Sequence, residues 1–201
     1  MWLLIFERVV KTRLLLSYHK QRSEIKIAQN VGKIFESAIK DSIPDHCWYK
    51  RLNDNASSWA GGNNTRFTST NECDYLMFDD NTRTLYALEL KSTQGSLTYY
   101  RGDFEDKTKH QSFMIKKNQI LGLQKWSSHC MVCGFLFNFR NKSNRTFFVM
   151  IDDFIEYTSA LSKKSINIDD VLQMNPIEIH NEKKRTRYRY DIERFINESH
   201  L

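Results

Sequence analysis

The chain has 201 residues and carries 30 lysines and arginines against 24 aspartates and glutamates, a formal net charge of +6. A hydrophobic fraction of 40% with 13% aromatic residues excludes a disordered chain, and only two prolines and seven glycines exclude a low-complexity or repeat protein. The length is typical of one domain with a substantial core, and the positive charge favours an anionic partner such as nucleic acid.

Residues 1–22 form an N-terminal extension whose role the sequence does not indicate. Its apolar start is interrupted by charges, so it matches neither a signal peptide nor the roughly 20 apolar residues that span a bilayer. The interrupting side chains are Glu7, Arg8, Lys11 and Arg13. We expect an amphipathic segment that packs on the domain or on a partner, in a cytoplasmic protein with no membrane anchor. A single domain over residues 23–201 is expected to follow.

A helix is predicted over residues 23–41. Ser23 can cap its N-terminus and Glu24 lies in the first turn. Apolar side chains recur at helical spacing and predict the buried face: Ile27, Val31, Ile34, Phe35 and Ala38. Glu36 lies near the edge of this stripe, where it is either a surface acid or part of a site. Pro44 ends the helical region.

A short predicted strand, residues 47–52, precedes a polar stretch over residues 53–70 that is rich in Gly, Asn and Ser. A loop of this length inside a compact domain is usually functional or mobile. Lys50 and Arg51 on the strand and Arg66 in the loop are candidate phosphate contacts.

The segment from Asp74 to Lys91 predicts a hairpin of two apolar strands around a polar turn. Opposed residues are symmetric about a turn, so a centre near residue 81 or 82 places Asp74 across from residue 88 or 89. Glu89 and Lys91 are two apart on one strand and therefore share a face. Two acids and a lysine are predicted to converge, a set that can hold a divalent metal and position an attacking water.

A lone acid-x-lysine triplet on a strand is more often a solvated face than a site. Here the strand is otherwise apolar, and charges among buried aliphatic side chains are costly unless they are paired or bind a metal. One face is predicted to carry Leu85, Ala87 and Glu89, and the other Tyr86, Leu88 and Leu90. The preceding acid at matched spacing favours the metal site.

Cys130 and Cys133 form a CxxC motif, with His129 beside it. The surrounding residues predict a buried strand, on which positions three apart point to opposite faces, so the two sulfurs would not meet on one zinc ion. Cys47 and Cys73 stand alone in the sequence and supply no second pair. We therefore expect four reduced, buried thiols and no zinc at the CxxC.

The second half of the chain alternates helices and strands. Residues 92–106 are predicted to be irregular and residues 107–126 helical. The buried side of that helix is predicted to hold Phe113, Met114, Ile120, Leu121 and Leu123. Further predicted elements are strands over 131–139 and 146–151, short helices within 152–175, and a final helix over 191–198.

A basic run lies between Lys183 and Tyr190. Such runs are most often solvated faces, and on an edge strand they discourage aggregation. Interleaved tyrosines instead favour a strand that offers cations on one face to phosphates. The cations of the proposed nucleic-acid face are Lys183, Arg185, Arg187 and Arg189.

Five short motifs follow one another at compatible spacing. They are the helix residues 30–36 ending in Glu36, the pair Asp74-Tyr75, Glu89-Leu90-Lys91-Ser92-Thr93, the pair His110-Gln111, and the glycine-led apolar run 134–137. Together they resemble the PD-(D/E)xK nuclease superfamily, and within it the RecU family of Holliday junction resolvases. The matching pieces are spread over about residues 30–195.

The resemblance implies an α/β (α+β) fold, restriction-endonuclease-like, with a mixed central sheet flanked by helices and a protruding loop or stalk. It also implies a metal-dependent endonuclease that resolves four-way junctions, in which Asp74, Glu89 and Glu36 hold Mg²⁺, with Mn²⁺ able to substitute. Lys91 would position the water, and Gln111 would orient Lys91 or a phosphate. The implied partners are branched DNA, a second copy of the chain in a homodimer, and a recombinase.

Two rival functions remain open at this point. One is a restriction-type or repair endonuclease of the same fold that cuts duplex DNA. The other is a non-catalytic DNA-binding module whose acids are structural. Cleavage of a four-way junction compared with linear duplex, with and without a metal, separates the three.

Overall fold

A six-stranded mixed sheet organises the protein in its computed structural model, which describes residues 31–52, 71–102 and 113–200. The strands in chain order are β1 (Cys47–Arg51), β2 (Tyr75–Asp79), β3 (Thr84–Thr93), β4 (Leu97–Thr98), β5 (Val132–Phe139), β6 (Arg145–Met150), β7 (Ser165–Ile166), β8 (Ile177–Glu178), β9 (Asn181–Lys183) and β10 (Tyr188–Tyr190). The helices are α1 (described over residues 31–40), α2 (Lys117–Ser127), α3 (Ile151–Ala160), α4 (Ile168–Val171) and α5 (Ile192–Glu198).

The central sheet has the strand order β1-β2-β3-β5-β6-β8, and the pairs β9-β10 and β4-β7 form two small separate sheets. Strand β3 pairs antiparallel with β2 and parallel with β5, which makes the sheet mixed. The parallel pair needs a crossover connection, and α2 lies in that connection. Strand β3 has a neighbouring strand on each side and is apolar on both faces. Its two charged side chains, Glu89 and Lys91, are therefore mostly buried.

Each face of the sheet carries its own hydrophobic core. One core joins Ala87, Phe135 and Phe137 of the sheet to Leu123 of α2 and Phe154 of α3. The core on the other face joins sheet residues to helices α1 and α5; its members include Phe35, Tyr86, Leu88, Leu90, Phe148 and Phe195. The alternation predicted for β3 is confirmed, because Ala87 belongs to the first core and its neighbours Tyr86 and Leu88 to the second. The protein is a mixed α/β domain whose central mixed sheet is flanked by helices.

The predicted helix over 107–126 begins later than the sequence indicates. Helix α2 starts at Lys117, and just before it Ile115 forms a parallel bridge with Tyr99. The Ile115 N–H donates to the Thr98 carbonyl and its own carbonyl accepts from the Tyr100 N–H. These backbone bonds to a distant segment replace the helical ones, so the helix prediction is wrong around Ile115. Met114 and Leu121, predicted to be buried, are exposed.

Two other predictions were wrong in detail. Cys130 is not on the strand, which begins at Val132; it lies in the preceding turn with a left-handed φ of 58° and is exposed. Ile34, assigned to the buried stripe of α1, is 55% exposed, whereas Phe35 and Ala38 are buried as predicted. The other three cysteines, Cys47, Cys73 and Cys133, are buried free thiols.

Several predictions fall outside the described residues: the N-terminal extension, the polar stretch 53–70 with Arg66, and Gln111. Within the described ranges, no helix is long and apolar enough to cross a membrane.

Candidate functional site

The hairpin of β2 and β3 brings Asp74 beside Glu89. Tyr75 pairs with Leu88 in the antiparallel register, and Asp74 comes directly before Tyr75, so its backbone lies against residues 88 and 89. The prediction of a residue 88 or 89 partner is confirmed. Ala87 and Glu89 are two apart on β3 and therefore share a face, the face that contacts the first core.

The backbone around Asp74 is fixed on both sides. Its N–H donates to the Leu88 carbonyl over 3.1 Å, and its own carbonyl accepts from the Leu52 N–H over 2.8 Å. The side chain reaches across to β3, where Asp74 Oδ2 accepts the Leu90 N–H over 2.8 Å. The carboxylate is therefore held against the acid-x-lysine segment of β3.

Glu89 lies in the interior, only 2% exposed. Its Oε1 accepts from Lys91 Nζ over 2.6 Å, and it also accepts from Gln119 Nε2 of α2. The Lys91 side chain is 16% exposed, so this is a mostly desolvated ion pair that an additional neutral donor completes. A buried carboxylate with two donors is well satisfied and rigid.

Gln119 is the site residue that sequence reasoning missed. The predicted helix start near residue 107 put His110 and Gln111 in the first turn, whereas the observed start at Lys117 puts Gln119 there. Its side chain also accepts the Lys116 N–H over 2.9 Å, which caps the helix. The signal in the sequence was a glutamine three residues after a helix start, and it depended on placing that start correctly.

Helix α2 approaches the segment before Asp74 closely because it carries a glycine at position 122. A Cβ added to Gly122 would overlap the side chain of Glu72 and lie 3.5 Å from the Glu72 Cα. This contact fixes the distance between the helix that carries Gln119 and the chain that carries Asp74. The helical glycine costs about 1 kcal/mol relative to alanine, and the close approach explains its presence.

Removal of the Gln119 amide should destabilise the protein. We expect Gln119→Leu to lower the free energy of unfolding by about 1–3 kcal/mol, because Glu89 loses a donor in a buried position. Denaturant unfolding measures this. Gln124→Leu, the same change at an exposed position of the same helix, is the control and should stay within about 0.5 kcal/mol of the parent. Equal stability of the two variants would show that the Gln119 contact is unimportant.

Cys73 lies next to the two acids. Its burial, followed by the charges of Glu89 and then Asp74, raises the pKa of the thiol. Its sulfur donates to the Tyr75 carbonyl over 3.4 Å. Cys73 therefore stays protonated and acts as a packing residue beneath the carboxylates.

Glu36 and Arg51 form an ion pair at the same end of the hairpin. Arg51 Nε and one terminal nitrogen each approach Glu36 Oε2 to 2.9 Å. Arg51 pairs in register with Tyr75, the neighbour of Asp74. Burial, and then the charge of Glu36, raises the pKa of Tyr75 to about 12. The structure thus places Glu36 near the site, next to Arg51, and the ion pair engages only one oxygen of the Glu36 carboxylate.

The basic run does not form one strand, so the predicted three-arginine strand face is wrong. Lys183 ends β9, Arg185 lies in the connecting turn, and only Arg189 lies within β10. The Lys184 N–H donates to the Arg187 carbonyl over 2.8 Å and closes the hairpin. A turn interrupts the alternation that the sequence pattern suggested.

The four predicted cations of this run are nevertheless exposed, as is Lys50 on β1. Arg187 makes an ion pair of 2.9 Å with Asp41, both side chains being largely exposed. Tyr190 points inward: it is 4% exposed, and its hydroxyl accepts from Asn144 Nδ2 over 3.0 Å. The hairpin therefore presents cations outward and uses Tyr190 as core.

The chemistry available at this site follows from its side chains. Asp74 and Glu89 offer carboxylate oxygens, the ligands that Mg²⁺ prefers, and a magnesium site commonly uses one or two protein carboxylates with water and phosphate oxygens. Lys91 adds a positive charge beside them. The donor set fits a hard divalent cation and does not suit a soft metal.

No protein-family model matches the chain. The chain is similar to the SPbeta prophage-derived uncharacterized protein YotM of Bacillus subtilis (strain 168), with 31% identity over 140 residues. The matched part covers 68% of this chain and 64% of that protein, so the chain spans less than two thirds of its relative's length.

Proposed function

We propose that the protein is a magnesium-dependent DNA endonuclease with a restriction-endonuclease-like arrangement, and that its substrate is the four-way junction. The observation that supports this best is the register of β2 and β3. Asp74 comes directly before the Tyr75–Leu88 pair, its Oδ2 accepts the Leu90 N–H, and Lys91 Nζ lies 2.6 Å from Glu89 Oε1. Two acids and a lysine at one end of a hairpin form a set suited to phosphodiester hydrolysis.

Asp74 and Glu89 would hold Mg²⁺, or Mn²⁺ in its place, and the bound ion would supply an activated water and charge neutralisation at the phosphate. Lys91 contributes a cation that can position the nucleophilic water and offset charge that develops on the phosphate. Gln119 is a positioning residue: it holds the Glu89 carboxylate and thereby the lysine paired with it. The rigidity of this set means that little reorganisation is needed at the moment of reaction.

The surface charge supports a nucleic-acid substrate. The chain has a net charge of +6, and the proposed phosphate contacts Lys50, Lys183, Arg185, Arg187 and Arg189 are all exposed. A resolvase must cut two strands at symmetric positions, so we propose that the chain acts as a homodimer. A recombinase that produces junctions is the proposed protein partner.

We expect the triple variant Arg185→Ala, Arg187→Ala, Arg189→Ala to bind DNA more weakly while its metal site stays intact. Removing one arginine–phosphate interaction on a duplex arm should flatten the slope of log affinity against log salt by roughly 0.9. Arg187 must first leave Asp41, so it should contribute least. Binding titrations at several salt concentrations measure the slope.

The matched control for the arginine variant is Arg83→Ala. Arg83 is exposed in the β2–β3 turn, at the opposite end of the hairpin from Asp74. It should leave the affinity and the salt slope unchanged. If the folded triple variant kept the parental DNA affinity and salt slope, the arginines of the basic hairpin would be solvent-exposed residues that do not contact DNA.

The decisive experiment uses the purified full chain on a labelled four-way junction and on linear duplex with the same arm sequences. Symmetric cuts in the junction with Mg²⁺, none with EDTA, and little cutting of duplex are expected. Equal cutting of both substrates would identify a duplex nuclease of the same fold. Junction binding with no metal-dependent cutting would indicate that Asp74 and Glu89 have a structural role and that the protein is a DNA-binding module.

A further inference from the structure

A second cluster of metal-ligating side chains lies at the other end of the β2–β3 hairpin from Asp74. Cys47 begins β1 and Asp79 ends β2, and the two are directly opposed in the antiparallel register. His46 precedes Cys47, and Glu193 lies in the first turn of α5. Three potential ligands thus come together from the start of β1 and the end of β2, and Glu193 of α5 approaches them through His46.

The ligand atoms of His46, Cys47 and Asp79 have separations that suit one tetrahedral ion, and Glu193 lies beside His46 at the edge of this group. His46 Nε2 lies 3.2 Å from Asp79 Oδ1 and 3.6 Å from Glu193 Oε2, and Cys47 Sγ lies 3.6 Å from Asp79 Oδ1. Ligand atoms of His46, Cys47 and Asp79 all lie within 4.8 Å of one another. Tetrahedral zinc with ordinary bond lengths requires about 3.3 Å between nitrogen and oxygen ligands and about 3.6 Å between sulfur and oxygen ligands.

Asp79 is oriented for this role. It is fully buried, and its Oδ2 accepts the Thr82 N–H over 2.8 Å as well as the Thr82 hydroxyl. Its Oδ1 is the atom that faces His46 and Cys47, and it also meets the Asn81 N–H at 3.4 Å. Outer donors that fix one oxygen and present the other are typical of metal sites.

We propose that His46, Cys47 and Asp79 bind one Zn²⁺ ion, or a similar borderline divalent metal, with Glu193, which lies beside His46, as the fourth ligand, in a structural site separate from the Asp74–Glu89 centre. Four protein ligands with nitrogen, sulfur and oxygen donors form a closed site, and closed sites stabilise folds instead of catalysing reactions. The ion would fasten α5 to the edge of the sheet. Glu193 is 54% exposed and His46 29% exposed, so the site opens to solvent.

Without a metal the same side chains form a hydrogen-bonded group. The Cys47 thiol donates to Asp79, and burial, followed by the charge of Asp79, raises its pKa to about 12. A bound metal must displace that proton. The sequence pattern left Cys47 without a second cysteine, and it could not show that Asp79 and Glu193 approach the His46–Cys47 pair from other elements of the fold.

The test uses the full chain, stripped with a chelator and titrated with Co²⁺ and then Zn²⁺. With excess Mg²⁺ present to occupy the Asp74–Glu89 centre, one equivalent of Co²⁺ should bind and show a thiolate-to-cobalt charge-transfer absorption, which Zn²⁺ should abolish by displacement. Zinc should also raise the melting temperature as expected for a ligand of the native state. Failure of the parental protein to bind either ion would overturn the proposal.

Variants separate this site from adventitious binding. Cys47→Ser should lose the charge-transfer band and bind zinc at least about 100-fold more weakly, beyond the roughly 10–100-fold cost of losing an outer-shell partner. Glu193→Gln, at an exposed position that folding tolerates, should also weaken binding by at least about tenfold. Cys130→Ser, the exposed CxxC cysteine, should change nothing. A band that survives in Cys47→Ser, parental affinity in Glu193→Gln, or loss of binding in Cys130→Ser would each contradict the assignment.

Discussion

Asp74→Asn and Glu89→Gln should each abolish magnesium-dependent cleavage of a four-way junction while junction binding persists. Each change removes one carboxylate from the proposed metal site and leaves the exposed cations unaltered. We expect at least about a 10³-fold loss of cleavage rate, the upper end of what one preorganised charge-stabilising group contributes. Single-turnover cleavage and a binding titration in Ca²⁺ or EDTA measure the two quantities separately.

The two acid variants differ in their effect on stability. Glu89 is buried and accepts from Lys91 and Gln119, so Glu89→Gln leaves Lys91 without its carboxylate partner and should also destabilise the fold. The Asp74 side chain accepts the Leu90 N–H, and the amide oxygen of an asparagine at that position could still accept it. Asp74→Asn is therefore the cleaner test.

Matched controls for these acids are Asp169→Asn and Glu156→Gln, which make the same chemical changes at exposed positions. They should cleave at the parental rate. If a folded Asp74→Asn protein cleaved at the parental rate, Asp74 would not be a ligand of a catalytic metal ion.

Lys91→Ala should reduce the cleavage rate by about 10²–10³-fold, equivalent to about 2.7–4 kcal/mol of transition-state stabilisation. The Lys91 Nζ lies 2.6 Å from Glu89 Oε1, so its charge is next to a proposed metal ligand. Removing it should lower the rate at saturating substrate more than it weakens binding, because the charge acts on the reacting phosphate. Single-turnover rates and affinities of the same protein separate these effects.

Lys142→Ala, at an exposed turn lysine, is the control for charge alone. Lys91→Arg should recover part of the activity, since it restores the charge with a different shape. A loss of less than about threefold in Lys91→Ala, which is under 1 kcal/mol, would mean that the lysine only neutralises Glu89.

Local sequence features determined the hairpin and much of the candidate site. A polar turn between two apolar strands fixes the register by symmetry, so the position of Asp74 next to residue 88 or 89 could be predicted without a structure. The period of two along a strand likewise predicted which side chains of β3 meet each core. These properties depend on neighbours that are close in sequence, which is why the pattern sufficed.

Only the tertiary structure decided which distant side chains complete each site. Gln119 reaches Glu89 because backbone bonds between Ile115 and the strand near Tyr99 delay the start of α2, and local helix propensity cannot register such bonds. The adjacent pair His46 and Cys47 meets Asp79 and Glu193 only when β1, β2 and α5 pack together. The basic run follows the same rule, because a turn at Arg185 overrode its alternating pattern. Contacts between elements depend on packing and strand pairing across the fold, so local sequence patterns do not predict them.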